Sequence, residues 1–343
     1  MSAWNTLSET FGFTFDPESN AITHTPAAES QTRIVPLVQQ RVISVIGPDA
    51  EKFLQGQLTC NMAETVQLGS RLGAHCNIKG SMIALYRAIS VESGFWLRLH
   101  HESAEAALKN LSKYIVFSKA EALDESNNIL GLGLIGPGAA SLVEKICDLV
   151  PTETDKVVSA GQIRVVKVPG ERYEVWLPAD QTEAILKQLH ELAPFGTTQD
   201  WLLSEIQAGI PDLRLATQEA FIPQMTNLQA LKGVSFNKGC YTGQEIVTRL
   251  QHRGKLTKPM YLAKVTTDTT PEVGSNLHSS EKENVGTVLL AAPSGEQQVT
   301  LLAVINKAQA DEHSIHLNTS QGPTLEIQPL PYVLDPELFE AKR

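Results

Sequence analysis

The sequence predicts an α+β protein, with two related α+β domains followed by a small antiparallel β barrel. Three observations carry that reading. First, an apolar strand runs into Gly-Pro and then a helix at two places, Ser44-Val45-Ile46-Gly47-Pro48-Asp49-Ala50 and Gly133-Leu134-Ile135-Gly136-Pro137-Gly138-Ala139. Proline suits the first turn of a helix, where no N–H partner is needed. Second, each unit continues with two strand-like runs and an amphipathic helix. Third, everything beyond residue 260 breaks into short strands and turns.

The elements follow in order. The first Gly-Pro opens a helix expected to run through Leu58. Strands are then expected over 81–91 and 94–99, split by Glu92-Ser93, with a helix over 103–114. The second Gly-Pro opens a helix through about Leu149, followed by strands over 162–168 and 173–177 and a helix over 181–192. Leu186, Leu189 and Ala193 have helical spacing there. Each half therefore reads β-α-β-β-α, a ferredoxin-like arrangement of an antiparallel sheet with helices on one face. A further helix starts near Thr197 and stops at Gly209, with Pro211 beyond. Residues 210–231 lack periodicity and read as a loop; a loop that long is either functional or an extended crossing segment. The clearest later strands cover 261–265, 284–291 and 298–305, and the acidic strip 280–283 reads as a hairpin tip.

Composition sets bounds on function. The chain has 343 residues, 42% of them hydrophobic, and a formal net charge of −10 at pH 7. That charge argues against general, direct binding to nucleic-acid phosphates, which needs clustered cations. One local basic run remains, from Arg249 through His252, Arg253, Lys255 and Lys258; it suits an anionic small molecule or a solvated surface. The four cysteines, at 60, 76, 147 and 240, form no C-x-x-C pair and match no zinc or iron–sulfur spacing. No metal site is expected, and His75 with Cys76 lacks further partners. No disulfide framework is expected either, which fits a reducing cytoplasm. No signal or transit peptide is expected at the N-terminus, and no apolar stretch approaches the ~20 residues that span a bilayer.

The most informative stretch is Lys238-Gly239-Cys240-Tyr241-Thr242-Gly243-Gln244-Glu245. Thr242 and Glu245 have capping-box spacing ahead of Ile246-Val247, so Thr242 is the expected N-cap. Cys240 then lies just outside a helix start, whose dipole and the nearby Lys238 would favour a thiolate. The alternative is a tight turn in which Cys240 is a small buried hydrophobe.

The stretch FIPQMTNLQALKGVSFNKGCYTGQE, residues 221–245, closely resembles the signature of the YgfZ-type folate-binding proteins, relatives of the glycine-cleavage T protein, a tetrahydrofolate-dependent aminomethyltransferase. Phe53-Leu-Gln-Gly-Gln-Leu-Thr59 and Ala74-His-Cys-Asn-Ile-Lys-Gly80 agree, as does the Gln-x-Trp-Leu context of Trp201. The resemblance covers nearly the whole chain. It implies three domains around a central hole: residues 1–125 with 200–255, residues 126–199, and a barrel over 256–343. It implies a cytoplasmic folate-binding accessory protein that supports iron–sulfur enzymes and, through them, tRNA modification, with folate and those enzymes or their assembly proteins as partners. The family's motif cysteine maps onto Cys240, the lysine before it onto Lys238 and a folate-binding tryptophan onto Trp201. Gln224 and Asn227 could bond the pterin edge or satisfy loop backbone. Arg249 could hold a glutamyl carboxylate or serve as a helix-end cation. A second folate-binding tryptophan aligns near Gln40, where no aromatic stands. The scaffold also permits an active tetrahydrofolate-dependent one-carbon transferase, or a pure interaction scaffold.

Overall fold

A computed structural model describes residues 3–340. Helix α1 (Ala3–Phe11) and the hairpin β1 (Thr14–Asp16) and β2 (Ala21–His24) lead into β3 (Arg33–Pro36). The first repeat is β4 (Gln40–Ile46), α2 (Ala50–Gln55), α3 (Met62–Leu68), β5 (Ser70–Cys76), β6 (Met82–Val91), β7 (Gly94–His100), α4 (His101–Ile115), then β8 (Glu121–Asp124). The second is β9 (Ile129–Ile135), α5 (Ala139–Val143), β10 (Val157–Ala160), β11 (Ile163–Val168), β12 (Arg172–Pro178) and α6 (Ala179–His190). After α7 (Thr198–Gln207) the chain runs without regular structure, apart from two short 3-10 turns, to α8 (Gln244–Arg253). It finishes with β13 (Met260–Thr266), β14 (Asn276–Ser279), β15 (Gly286–Gly295), β16 (Gln298–Ile305), α9 (Lys307–Glu312), β17 (Ile315–Leu317), β18 (Glu326–Gln328) and a last 3-10 turn.

The repeat is real in three dimensions. Gly47 and Gly136 both turn the chain with positive φ, and the helix-opening Ala50 and Ala139 each bond back to that glycine's carbonyl at 3.0 Å. The sheets share one order, β5-β6-β7-β4-β8 and β10-β11-β12-β9-β3. Their fifth strands are exchanged: β3, which precedes the first repeat, pairs with β9, and β8, which precedes the second, pairs with β4. Each repeat has one strand more than β-α-β-β-α. The extra strand β5 is buried at every position, so it shows none of the alternation that marks a half-exposed strand.

Beyond α8 the strands form a six-stranded antiparallel sheet in the order β17-β14-β15-β16-β13-β18. Residues 280–283 sit at the tip joining β14 to β15, as expected. The segment that leads into β18 bonds back to β17: the Leu317 N–H donates to the Pro323 carbonyl at 2.9 Å and the Leu325 N–H to the Ile315 carbonyl at 2.8 Å, so the sheet curls as a half-barrel. The chain divides into two compact units. The first comprises residues 3–53, Met62–Arg71 and Arg87–Trp201, and the second Leu54–Asn61, Leu72–Tyr86 and residues 202–340.

Unit one buries Ile34, Leu132, Leu134, Val165 and Val175 of its strands against Leu142, Leu186 and Leu189 of its helices. Each such side chain contributes about 1.5–3 kcal/mol when fully buried. Unit two packs Leu72, Ala74 and Cys76 with Val247 of α8, Leu228 of the loop and Leu289, Leu290 and Leu302 of the six-stranded sheet.

Candidate functional site: the Lys238–Glu245 loop

Helix α8 starts at Gln244, one residue later than a Thr242 cap would place it. Its N-cap is Gly243 at φ 82°, and no side chain caps it. The expected capping box is therefore absent, and tertiary contacts explain why. The Thr242 N–H donates to the Gly56 carbonyl at 3.2 Å, so this residue is tied to another segment. Gly243 presses on the tight turn that joins β5 to β6. A Cβ there would stand 3.0 Å from Cys76 Cβ and from Gly80 Cα, and closer still to the Asn77 carbonyl oxygen. Only glycine combines the left-handed φ with that approach.

The turn is built to receive it. Asn77 Oδ1 accepts from the N–H groups of Lys79 and Ser81 at 2.9 and 3.1 Å, an Asx-type brace. Gly80, also at positive φ, leaves room for Ile246, whose Cβ would stand 3.0 Å from a Cβ at 80.

A third segment closes the arrangement. Thr59 is fully buried; its Oγ1 donates to the Gly233 carbonyl at 2.6 Å and accepts from the Ala74 N–H at 2.8 Å. Its own N–H donates to the Ala74 carbonyl, and its carbonyl accepts from Ser235. Leu58 bridges to His75. This pairing explains why α2 stops at Gln55 rather than Leu58: residues 58–59 are extended against β5.

Lys238 anchors the loop to this segment. Its Nζ donates to the carbonyls of Leu58 at 2.6 Å and Cys60 at 2.8 Å, and stands 5.1 Å from the Tyr241 ring centre. Burial lowers its pKa to about 8, against a smaller upward pull from Cys60. Those bonds give Lys238 a holding role in the loop. Tyr241 is buried and Cys240 beside it is exposed, the other three cysteines being buried. The alternative of a buried Cys240 is overturned.

The remaining expected residues are placed as follows. Gln224 is buried; its Nε2 donates to the Val247 carbonyl at 2.6 Å, while its Oε1 has no partner among the described residues. Asn227, left-handed at φ 57°, clasps Met260: Nδ2 donates to its carbonyl at 2.8 Å and Oδ1 accepts its N–H at 3.3 Å. Arg249 is exposed on α8. These three belong to unit two with Lys238 and Cys240. Trp201 ends unit one. It is buried, its ring occupies the space a Cβ at Gly133 would need, and the Arg172 guanidinium stands 5.0 Å from its centre.

Sequence reasoning did not single out Thr59 or Gly56 individually, although both lie within a stretch it quoted, and it weighed His75 only as a metal ligand. His75 is buried, its Nδ1 lacks a partner among the described residues, and burial pushes its pKa down to about 4 from 6.5. Between those values the unfolded chain binds more protons than the folded one. Stability therefore falls as pH drops from 6.5 towards 4, by about 3 kcal/mol over the full window. Urea denaturation at pH 7 and pH 4.5 is expected to show this slope, flattened in a His75→Leu variant. An undiminished slope in the variant would refute the assignment.

No family model matches the chain. Two curated relatives do. The tRNA-modifying protein YgfZ of Pectobacterium atrosepticum is 33% identical over 314 residues, 90% of this chain and 94% of that protein. That of Pectobacterium carotovorum subsp. carotovorum is 32% identical over 311 residues, 89% and 93% of the two chains. Among solved structures, the glycine cleavage system aminomethyltransferase T from Bartonella henselae superposes with a TM-score of 0.70, covering 96% of this chain and 97% of its own at 16% identity. That likeness fixes the fold. No described helix is long and apolar enough to cross a membrane. With such identity across nine tenths of its length, and with the motif stretches meeting around one exposed cysteine, the chain belongs to the family of the tRNA-modifying proteins named YgfZ.

Proposed function

We propose that this chain is a cytoplasmic folate-binding accessory protein that supports iron–sulfur enzymes and, through them, tRNA modification, with Cys240 as its working thiol. One observation carries the reading: the stretches around Thr59, Ala74–Gly80 and Lys238–Glu245 converge in unit two and leave Cys240 as the exposed cysteine. Lys238 keeps the loop in place. A reduced folate, tetrahydrofolate in the first instance, is the cofactor of this reading. The unpartnered Gln224 Oε1 and the exposed Arg249 offer it an acceptor and a carboxylate-binding cation. Trp201 enters through the family resemblance alone, and the Asn227 amide is engaged with the Met260 backbone. Partners are iron–sulfur enzymes or their assembly proteins.

Cys240→Ala is expected to lose complementation of a strain lacking the family protein while melting as the parent does, because an exposed side chain contributes little to packing. Full complementation would overturn the thiol role. Titration calorimetry tests the folate role separately: binding of tetrahydrofolate weaker than about 1 mM, roughly −4 kcal/mol, removes it. The aminomethyltransferase fold favours one further reading, a tetrahydrofolate-dependent one-carbon transferase. Turnover of an aminomethyl donor by the purified chain with tetrahydrofolate would establish it, and repeated lack of turnover would exclude it.

A further inference from the structure

Within unit one, β4 pairs with β7 in a register that sets Gln40 opposite His100. Opposed residues of an antiparallel pair project to the same face of the sheet, with Cβ atoms about 4.5–5.5 Å apart. Gln40 is only 5% exposed, and among the described residues neither its Oε1 nor its Nε2 has a hydrogen-bond partner. Buried side-chain amides are normally satisfied, so one with both atoms idle calls for a partner such as a water or an ion.

At that place the chain turns from β7 into α4 through His100, His101 and Glu102. One ligand atom from each of the three lies within 4.8 Å of the others. The two imidazole rings are 4.4 Å apart, centre to centre. His100 Nδ1 accepts the Glu102 N–H at 3.3 Å and lies 3.7 Å from Glu102 Oε1. An ion bound at Nδ1 would take that lone pair from the Glu102 N–H, whose bond is long at 3.3 Å.

We propose that His100, His101 and Glu102, at the strand end opposite Gln40, form a divalent transition-metal site of the zinc type. Two imidazoles and a carboxylate are a borderline nitrogen–oxygen donor set, which suits Zn²⁺ better than Mg²⁺ or Ca²⁺. The positive end of the α4 dipole opposes a cation here, and the Glu102 carboxylate in the first turn supplies the compensating charge. His101 also lines a cavity of about 470 Å³ with Arg41, Glu105 and Asp124, which gives an ion a way in. The site contains no cysteine, so cysteine spacing gave no sign of it.

The test is calorimetric titration of the metal-stripped full chain with Zn²⁺. One site per chain is expected, weakened roughly tenfold or more by Glu102→Gln and by His101→Ala, and unchanged by Cys240→Ser. Glu102→Gln is the safer variant if His101→Ala folds poorly, because its carboxylate is partly exposed. Affinity weaker than about 100 µM would overturn the proposal. So would a site that survives Glu102→Gln, or one that disappears with the Cys240 thiol.

Discussion

Gly243→Ala is expected to destabilise the protein by about 2–4 kcal/mol, whereas Gly239→Ala, four residues away in the same motif, is expected to change stability by less than about 0.5 kcal/mol. The two glycines look equivalent in the sequence. In the structure Gly243 has φ 82° and would drive a Cβ into the Asn77 carbonyl, with Cys76 and Gly80 3.0 Å away. The neighbours are mostly backbone, so relief requires α8 to move off the turn after β5. Left-handed strain adds about 1–2 kcal/mol to that overpacking. A Cβ at Gly239 meets nothing within 4 Å. Urea midpoints of the two variants decide the matter. Equal midpoints would mean that the motif glycines serve loop freedom rather than a fixed contact. The expected difference would show that the motif is a backbone-on-backbone joint whose purpose is to hold the Cys240 loop at one distance from β5.

That joint also shows how far the sequence could be read. Elements with strong periodicity were legible nearly to the residue: strands expected over 81–91 and 162–168 are Met82–Val91 and Ile163–Val168, and the helix expected over 103–114 is His101–Ile115. Their pattern reports a face shared between core and solvent, a local property. What failed was non-local. Strand β5 lies buried throughout, so no alternation betrays it. The exchange of β3 and β8 leaves no mark in strands of four residues whose partners lie some 80 to 100 positions away. Thr242 has every local credential for a cap, yet its N–H is held by Gly56 and the cap passes to Gly243. The site showed the same division. Its motif stretches were visible as words, and Cys240 was rightly placed outside the helix. The carbonyls that hold Lys238 lie 178 and 180 residues away, beyond the reach of any local pattern.

Glu174→Gln is expected to cost about 3–5 kcal/mol, an effect as large as the Gly243 joint but of opposite physical origin. Glu174 of β12 is fully buried between two arginines of the other repeat. Arg98 of β7 bonds both its oxygens, Arg87 of β6 stands 3.6 Å away, and Trp176 Nε1 donates to it at 3.0 Å. Arg87 in turn bonds Asp155 at 2.6 Å, which also pairs with Arg71. Burial alone would raise the Glu174 pKa; the two guanidinium groups and the hydrogen bonds outweigh it and hold it at about 2. A folded value below the usual 4.5 means stability that is present above pH 4.5 and is lost as pH falls towards 2. Glutamine keeps the shape and an acceptor but removes the charge, so Arg98 and Arg87 both lose this buried carboxylate. The double variant Arg98→Met, Glu174→Met removes both charges and is expected to lose less than the single one, because the cost lies in the unbalanced buried charge rather than in the missing attraction. Denaturation followed by tryptophan emission measures both, and a double variant that is less stable than Glu174→Gln would refute this account. If it holds, the buried charges at this seam fix which β12 face meets β6 and β7, a selectivity that an apolar seam between two sheets of the same order would lack.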